Sequence, residues 1–369
     1  MERVVNVNGQ DIGTVTLDAP VLRHPGNPIL TARDVNAVWA DPGLQVVTAH
    51  NAGVAVIDGV TTMVFRSHLR CGMSVLGRAR SADGVGGWVV SARPVMVPAT
   101  PLDAYGPRAD QPAIIEMESG GLEDARLNPV GATIAMTYSA YHALQPNRVR
   151  VAMATTADGE HFTRHGAMLD RDMRNVVLFP ERIDGRYTGL FRPNGNLPGD
   201  TGGAYTRIHL GTTADLVAGP WDIDPDPVMV TGAGPSAFSA KIGPGAPPIR
   251  TRHGWLSLFH GVRTTMDGNP YVLGVALHDL ADPRIVAMSA IPILFPTAAD
   301  CRVREDEYVH VPHVVFSCAM TRRPDGTLFL YYAGNDTVMN VAFSHEDVLA
   351  ELVIGYGQDP LTGRLLYTP

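Results

Sequence analysis

The run Glu123-Asp124-Ala125-Arg126 sets two carboxylates and a guanidinium at the mouth of an apolar stretch, LNPVGATIAMTYSAY. Such a group is either a salt bridge at a strand end or an acid held ready beside a cation. Polar residues recur at the starts of similar apolar stretches: Asn51, Glu123, Asp124, Arg174, Asn175, Lys241, and His310 or His313. Arg66, Arg192, His260 and Asp336 stand near stretch ends. Sorted by sign, the acids are Glu123, Asp124, Asp336 and Glu181, and the cations and donors are Arg174, Asn175, Arg192, Lys241 and His260. Arginine presents a planar fork matched to phosphate oxygens, and lysine adds a point charge. Arranged together, these donors would cage one inorganic phosphate. A carboxylic acid beside that cage would give acid catalysis with phosphate as the nucleophile. Each residue also has a structural reading: Asp124 paired with Arg126, Arg174 as a solvated loop charge, His260 as a satisfied core histidine, Glu181 paired with Arg182 or Arg186. Lys241, among glycines and prolines in AKIGPGAPP, reads as a loop residue near a ligand.

Residues so far apart can meet only if the elements carrying them repeat. An apolar run, a turn and a second apolar run recur as NAGVAVIDGVTTMVFRS from Asn51, DARLNPVGATIAMTYSA from Asp124 and NVVLFPERIDGRYTGLFRP from Asn175. They recur again as APPIRTRHGWLSLFHGV from Ala246 and HVVFSCAMTRRPDGTLFLYYAG from His313. The DG, VG and HG pairs inside them are hairpin-turn signals. A third apolar strand and an Asp-rich polar turn follow each copy: LGRARSADG, VAMATTADG, IHLGTTADL, LGVALHDLADP and NVAFSHEDV. Two patterns recurring in step predict an all-β fold, a five-bladed β-propeller whose loops converge on a central funnel. Residues 1–22 read as a strand-rich extension and 23–369 as a single propeller domain. SHEDVLAELV predicts a helix with Ser344 as N-cap and Asp347 in the capping-box position.

The bulk composition narrows the possible partners. Net charge is −8 across 369 residues, with no basic block, so nucleic acid and anionic membranes are not expected partners. Cys71, Cys301 and Cys318 have neither disulfide-framework nor metal-ligand spacing, so no metal and no cofactor is expected. The N-terminal MERVVNVNGQDIG lacks the apolar core of a signal peptide, and no apolar window reaches spanning length. A cytoplasmic location is the default expectation.

The segments GLEDARL, RNVVLFPERIDGRYTGLFRP, KIGPGAPPIRTRHGWLSLFHGV and YYAGNDTVMNVA resemble the signature segments of glycoside hydrolase family 130, from about Arg23 to about Ala350. The resemblance implies a five-bladed propeller and, mostly, β-mannoside phosphorylase activity, with some β-mannosidases. It places the general acid on Asp124, with Ala125 where the family's motif has proline. It places phosphate ligands on Arg174, Asn175, Arg192, Lys241, His260 and Tyr271, and a mannose contact on Asp336. Asn51 and Arg66 match sugar-contacting residues of the first blade, with Glu123 beside them. Phosphate is the implied co-substrate, the implied product is α-mannose 1-phosphate, and a homo-oligomer is implied. A hydrolase using Glu181 or Glu123 as base, or a sugar-binding propeller, are the rival readings. For Asp124 to be protonated near neutrality its pKa has to be raised, by burial or by Glu123. Loops 98–119 and 194–207 are expected to choose among glucose, N-acetylglucosamine, mannose or a mannan chain, linked 1,4 or 1,2.

Overall fold

The computed structural model describes residues 1–194, 205–232, 236–266 and 268–367. Most regular structure is β. Each copy of the first sequence pattern is an antiparallel pair: His50–Ile57 with Val60–His68, Gly121–Val130 with Thr133–His142, and Met173–Leu178 with Tyr187–Pro193. In the fourth copy Lys241–Pro244 and Ile249–Thr251 both pair with Gly254–Val262, and in the fifth Val315–Arg322 pairs with Thr327–Gly334. The second pattern supplies the third strand of each unit: Ser74–Ser81, Gln145–Thr156, Arg207–Thr213, Tyr271–His278 and Val338–His345. Fourth strands are Val89–Val90, Thr163–Ala167, Asp222–Val230 and Val286–Ser289. The fifth unit takes its fourth strand from the other end of the chain, Leu22–Arg23 pairing with Ala342 and Phe343. Ahead of it, Glu2–Val7 and Gln10–Thr16 form a separate hairpin.

Local sequence explains the hairpins. Asp58 and Gly59 both lie at positive φ (49° and 77°), as do Asp184 and Gly185 (49° and 73°). That backbone matches the twist of the flanking strands, and Asp-Gly adopts it at low cost. Side chains alternate between neighbouring interfaces, so both faces of each unit are apolar, with Phe65, Phe191, Phe259 and Phe329 fully buried. First strands of successive units lie against each other, and Val315–Arg322 returns to His50–Ile57. The approach is close: a Cβ at Gly53 would sit 2.5 Å from the backbone nitrogen of Leu127.

The helix near the C-terminus begins later than the sequence predicts. Ser344 stays in the ladder opposite Leu328, and His345 is the N-cap of Glu346–Tyr356, its ring accepting the Asp347 backbone N–H. Strand pairing thus overrides the capping preference of Ser344. The Asp347 carboxylate instead binds Arg3 and Arg252. Two short helices, Ala32–Asn36 and Gln111–Met117, were not expected from periodicity. No helix among the described residues is long and apolar enough to cross a membrane.

Candidate active site

The polar starts of the units converge, and in four of the five the first strand breaks its ladder near that start. Register slips between His50 and Gly53, across Glu123–Arg126, between Arg174 and Val176, and between Ser317 and Ala319. A bulge bends the strand and re-aims a side chain. Asn51, Asp124 and Asn175 sit in these bulges with φ of 45°, 51° and 57°, in the left-handed region that Asn and Asp tolerate best. Asp336, with φ 47°, lies in the turn between Thr327–Gly334 and Val338–His345. Lys241, expected in a loop, opens a strand instead, because it pairs with Val262.

Asp124 is held by its neighbours in the ring. Asn51 Nδ2 donates to its Oδ1 at 2.9 Å and Arg66 NH1 at 3.0 Å. Arg66 NH2 donates to Glu123 Oε1 at 2.7 Å, and Ser74 Oγ lies 3.4 Å from the same oxygen. Arg126 does not pair with the Asp124 carboxylate. It is fully buried and donates to backbone carbonyls of Gly245 (2.7 Å), Ala125 (3.0 Å) and Ser317 (3.1 Å), tying the second unit to the fourth and fifth. The expected rise in the Asp124 pKa is overturned. Burial pushes it up, but Arg66, Arg126, the Asn51 hydrogen bond and Arg174 together hold it below the usual carboxylate value. The raised acid is Asp336, pushed to about 6 by burial and by the charge of Asp124.

The donor set gathers on the third and fourth units. Arg192 lies opposite Arg174 in the ladder, donates through NH2 to Asn175 Oδ1, and through NH1 to His260 Nε2 at 3.1 Å. His260 therefore carries its proton on Nδ1, 3.5 Å from Ser317 Oγ. Burial, Arg192, Arg126 and Lys241 push its pKa well down, so it is neutral. Tyr271 stacks on it, ring centroids 6.1 Å apart. Burial lowers Arg192 to about 10, with Arg174 adding repulsion, and burial, Arg192 and Arg174 lower Lys241. No carboxylate forms a salt bridge with Arg174, Arg192 or Lys241 among the described residues. Arg174 Nε, Asn175 Nδ2 and Arg192 Nε are buried donors without a partner among the described residues.

Tyr205 was not foreseen. It comes from loop 194–207, of which residues 195–204 lie outside the described residues, and its ring covers Arg192 at 4.6 Å and the Lys241 ammonium at 5.4 Å. A loop tyrosine has no periodicity to mark it. Glu181, by contrast, is not in the site: it is half-exposed and pairs with Arg250 at 2.8 Å, neither Arg182 nor Arg186. His310 lies near Arg66 and Glu123, whereas His313 is exposed. Loop 98–119 contains Ala104–Tyr105 and the helix Gln111–Met117, and ends against Glu118, a buried residue bound by Tyr138 and Arg164.

Comparison with known proteins identifies the family. The family profile described as "beta-1,4-mannooligosaccharide phosphorylase" matches residues 22–353. A 1,2-beta-oligomannan phosphorylase of Thermoanaerobacter sp. (strain X514) is 30% identical over 301 residues, 79% of this chain and 88% of that one. A 4-O-beta-D-mannosyl-D-glucose phosphorylase of Bacteroides fragilis is 28% identical over 348 residues, covering 92% and 84%. The solved structure of a beta-1,2-mannobiose phosphorylase from Listeria innocua, in complex with beta-1,2-mannobiose, superposes with a TM-score of 0.72 at 25% identity, over 90% of this chain and 99% of that one. The chain belongs to glycoside hydrolase family 130 and is an enzyme of the glycoside phosphorylase class.

Proposed function

We propose that the chain is a five-bladed propeller that cleaves a β-mannoside by inverting phosphorolysis, giving α-mannose 1-phosphate and a free sugar. Five repeated antiparallel units, each traced by its strand pairs, with first strands in cyclic contact support the propeller. The observation that carries the chemistry is a cluster of buried donors without a partner among the described residues, on Arg174, Asn175 and Arg192, with Lys241 close by and a clamped carboxylate beside it. Buried donors without partners are costly unless a ligand satisfies them. A phosphate dianion, met also by Tyr271 while His260 holds Arg192 in place, fits their charge.

In the reaction a phosphate oxygen forms a bond to the anomeric carbon as the bond to the leaving oxygen breaks. Asp124 supplies the proton to that oxygen, directly or through a sugar hydroxyl, and Asn51, Arg66, Glu123 and Asp336 hold the mannosyl unit. Phosphate needs no general base, so it replaces the second carboxylate and water of an inverting hydrolase. It also acts on the acid. Arg174 is one of the charges that hold Asp124 down, and neutralising Arg174 with phosphate lets the Asp124 pKa rise. Neither base that the hydrolase reading names is free: Glu181 is paired with Arg250 away from the site, and Glu123 is occupied by Arg66 and Ser74.

Purified protein is incubated with β-1,4-mannobiose, β-1,2-mannobiose and mannosylglucose, with and without inorganic phosphate, and mannose 1-phosphate is assayed. Phosphate-dependent formation from one of them is expected. Free mannose released at the same rate without phosphate overturns the reading.

A further inference from the structure

The side of Asp124 bound by Arg66 borders a row of rings that the chemistry above does not use. Arg66 NH2 donates to His68 Nε2 at 2.8 Å, leaving the His68 proton on Nδ1, 3.3 Å from Thr48 Oγ1. His310 stands edge-on to His68 with centroids 4.7 Å apart, and His50 lies behind them at 5.3 and 6.2 Å. The Tyr308 hydroxyl meets His310 Nδ1 at 2.7 Å. Burial falls along the row. His50 is fully buried, His68 and His310 are partly buried, and Tyr308 is 49% exposed, so the rings step from the acid out to solvent.

This row is separate from the donor cluster. The cation acting on His68 and His310 is Arg66, whereas those acting on His260 are Arg192, Arg126 and Lys241. The row is also uncharged. Burial and Arg66 lower His68 to about 3 and push His50 and His310 down as well. An inverting displacement places nucleophile and leaving group on opposite faces of the anomeric carbon. With phosphate at the cations and the proton delivered from Asp124, the leaving sugar extends away from Arg192 and Lys241, toward these rings.

We propose that His310 and Tyr308, backed by His68, form the platform for the leaving-group sugar, and that it selects a neutral hexose residue. The inference rests on the phosphorolysis reading. Imidazole and phenol rings cover the C–H face of a sugar while their nitrogen and oxygen atoms bond its hydroxyls. Arg66, the cation that faces these rings, already spans Glu123 and Asp124 and is not free to repay desolvation of a uronate or a sugar phosphate.

The test runs the reaction in the synthetic direction, with α-mannose 1-phosphate as donor and glucose, mannose or glucuronic acid as acceptor. Both variants are at the rim. His310→Ala is expected to raise KM for the neutral acceptor about tenfold, with KM for mannose 1-phosphate unchanged. Tyr308→Phe, which keeps the ring, is expected to raise it less. In the wild-type protein the neutral acceptor, and not inorganic phosphate, is expected to slow carbethoxylation of His310, followed residue by residue by mass spectrometry. An unchanged acceptor KM in His310→Ala, a parallel rise in the donor KM, or glucuronic acid accepted as well as glucose overturns the platform and leaves the phosphorolysis reading intact. A wild-type protein that forms no mannoside from any acceptor, and releases no mannose 1-phosphate in the forward assay, overturns both.

Discussion

The two sides of the site balance their charges differently. Around Asp124 the charges are already paired: Arg66 spans Glu123 and Asp124, and Asn51 completes the clamp. Around Arg192 they are not: Arg174, Arg192 and Lys241 repel one another, and no carboxylate pairs with them among the described residues. One side is organised in the free protein and the other is completed by an anion. The protein holds donors in place before the ligand arrives, so their reorganisation is not required during reaction.

The sharpest way to separate the two sides is to remove the acid and leave the cations. Asp124→Asn is expected to lower kcat by about a thousandfold, in the range of general-acid catalysis, with phosphate binding retained. Loss of phosphate binding together with turnover, measured by calorimetry, would show that the sides are not separable. The reverse experiment is Arg192→Ala. Truncating a buried, hydrogen-bonded charge should cost about a hundredfold in kcat/KM for phosphate, and Arg192→Lys should recover only part, because the fork is lost. An effect confined to the mannoside KM would place Arg192 on the wrong side.

Stability should tell the same story. Inorganic phosphate at a hundred times its Kd should stabilise the fold by about 2.7 kcal/mol, read as a rise in Tm, and sodium chloride at equal ionic strength should not. On the acid side the signs oppose. Asp124 has a depressed pKa, so its stabilisation is present above the ordinary carboxylate range and is lost as pH falls through its folded value. Asp336, raised to about 6, does the reverse: the folded state binds its proton more tightly, and stability declines as pH rises from about 4 to about 6. Asp336→Asn should therefore remove that decline and stabilise the protein at pH 7 by on the order of 3 kcal/mol, checked by denaturant titration at both pH values. A steeper decline in the variant would reverse the assignment. The smallest effect is expected outside both sides. Glu181→Gln breaks an exposed pair and should change turnover less than about twofold; a large loss would revive the hydrolytic reading.

The strands were legible because each copy alternates apolar residues around an Asp-Gly or similar turn, a signal local to about twenty residues. The polar starts were legible for a related reason: Asn51, Asp124 and Asn175 occupy the same place in successive copies. What a single copy could not show was the partner of each. Arg126 looks like the natural mate of Asp124 two residues away, yet it turns to carbonyls of Gly245 and Ser317, and Arg66 from the preceding unit takes the carboxylate. Ser344 has the right type for an N-cap, yet the ladder claims it. The histidines His50, His68 and His310 carry no common spacing, so their row emerges only in space.

By itself the sequence determined the repeated four-stranded unit, the family and the residue types of acid and donors, because hydrophobic period, turn chemistry and motif order are all properties of short segments. Tertiary structure alone decided which charges neutralise each other. It put Asp124 below its usual pKa and Asp336 above it, and left Arg174, Arg192 and Lys241 without a counter-charge among the described residues. Charge balance depends on distance and burial between units far apart in the chain, and Coulomb energies in a poorly solvated site change with each ångström.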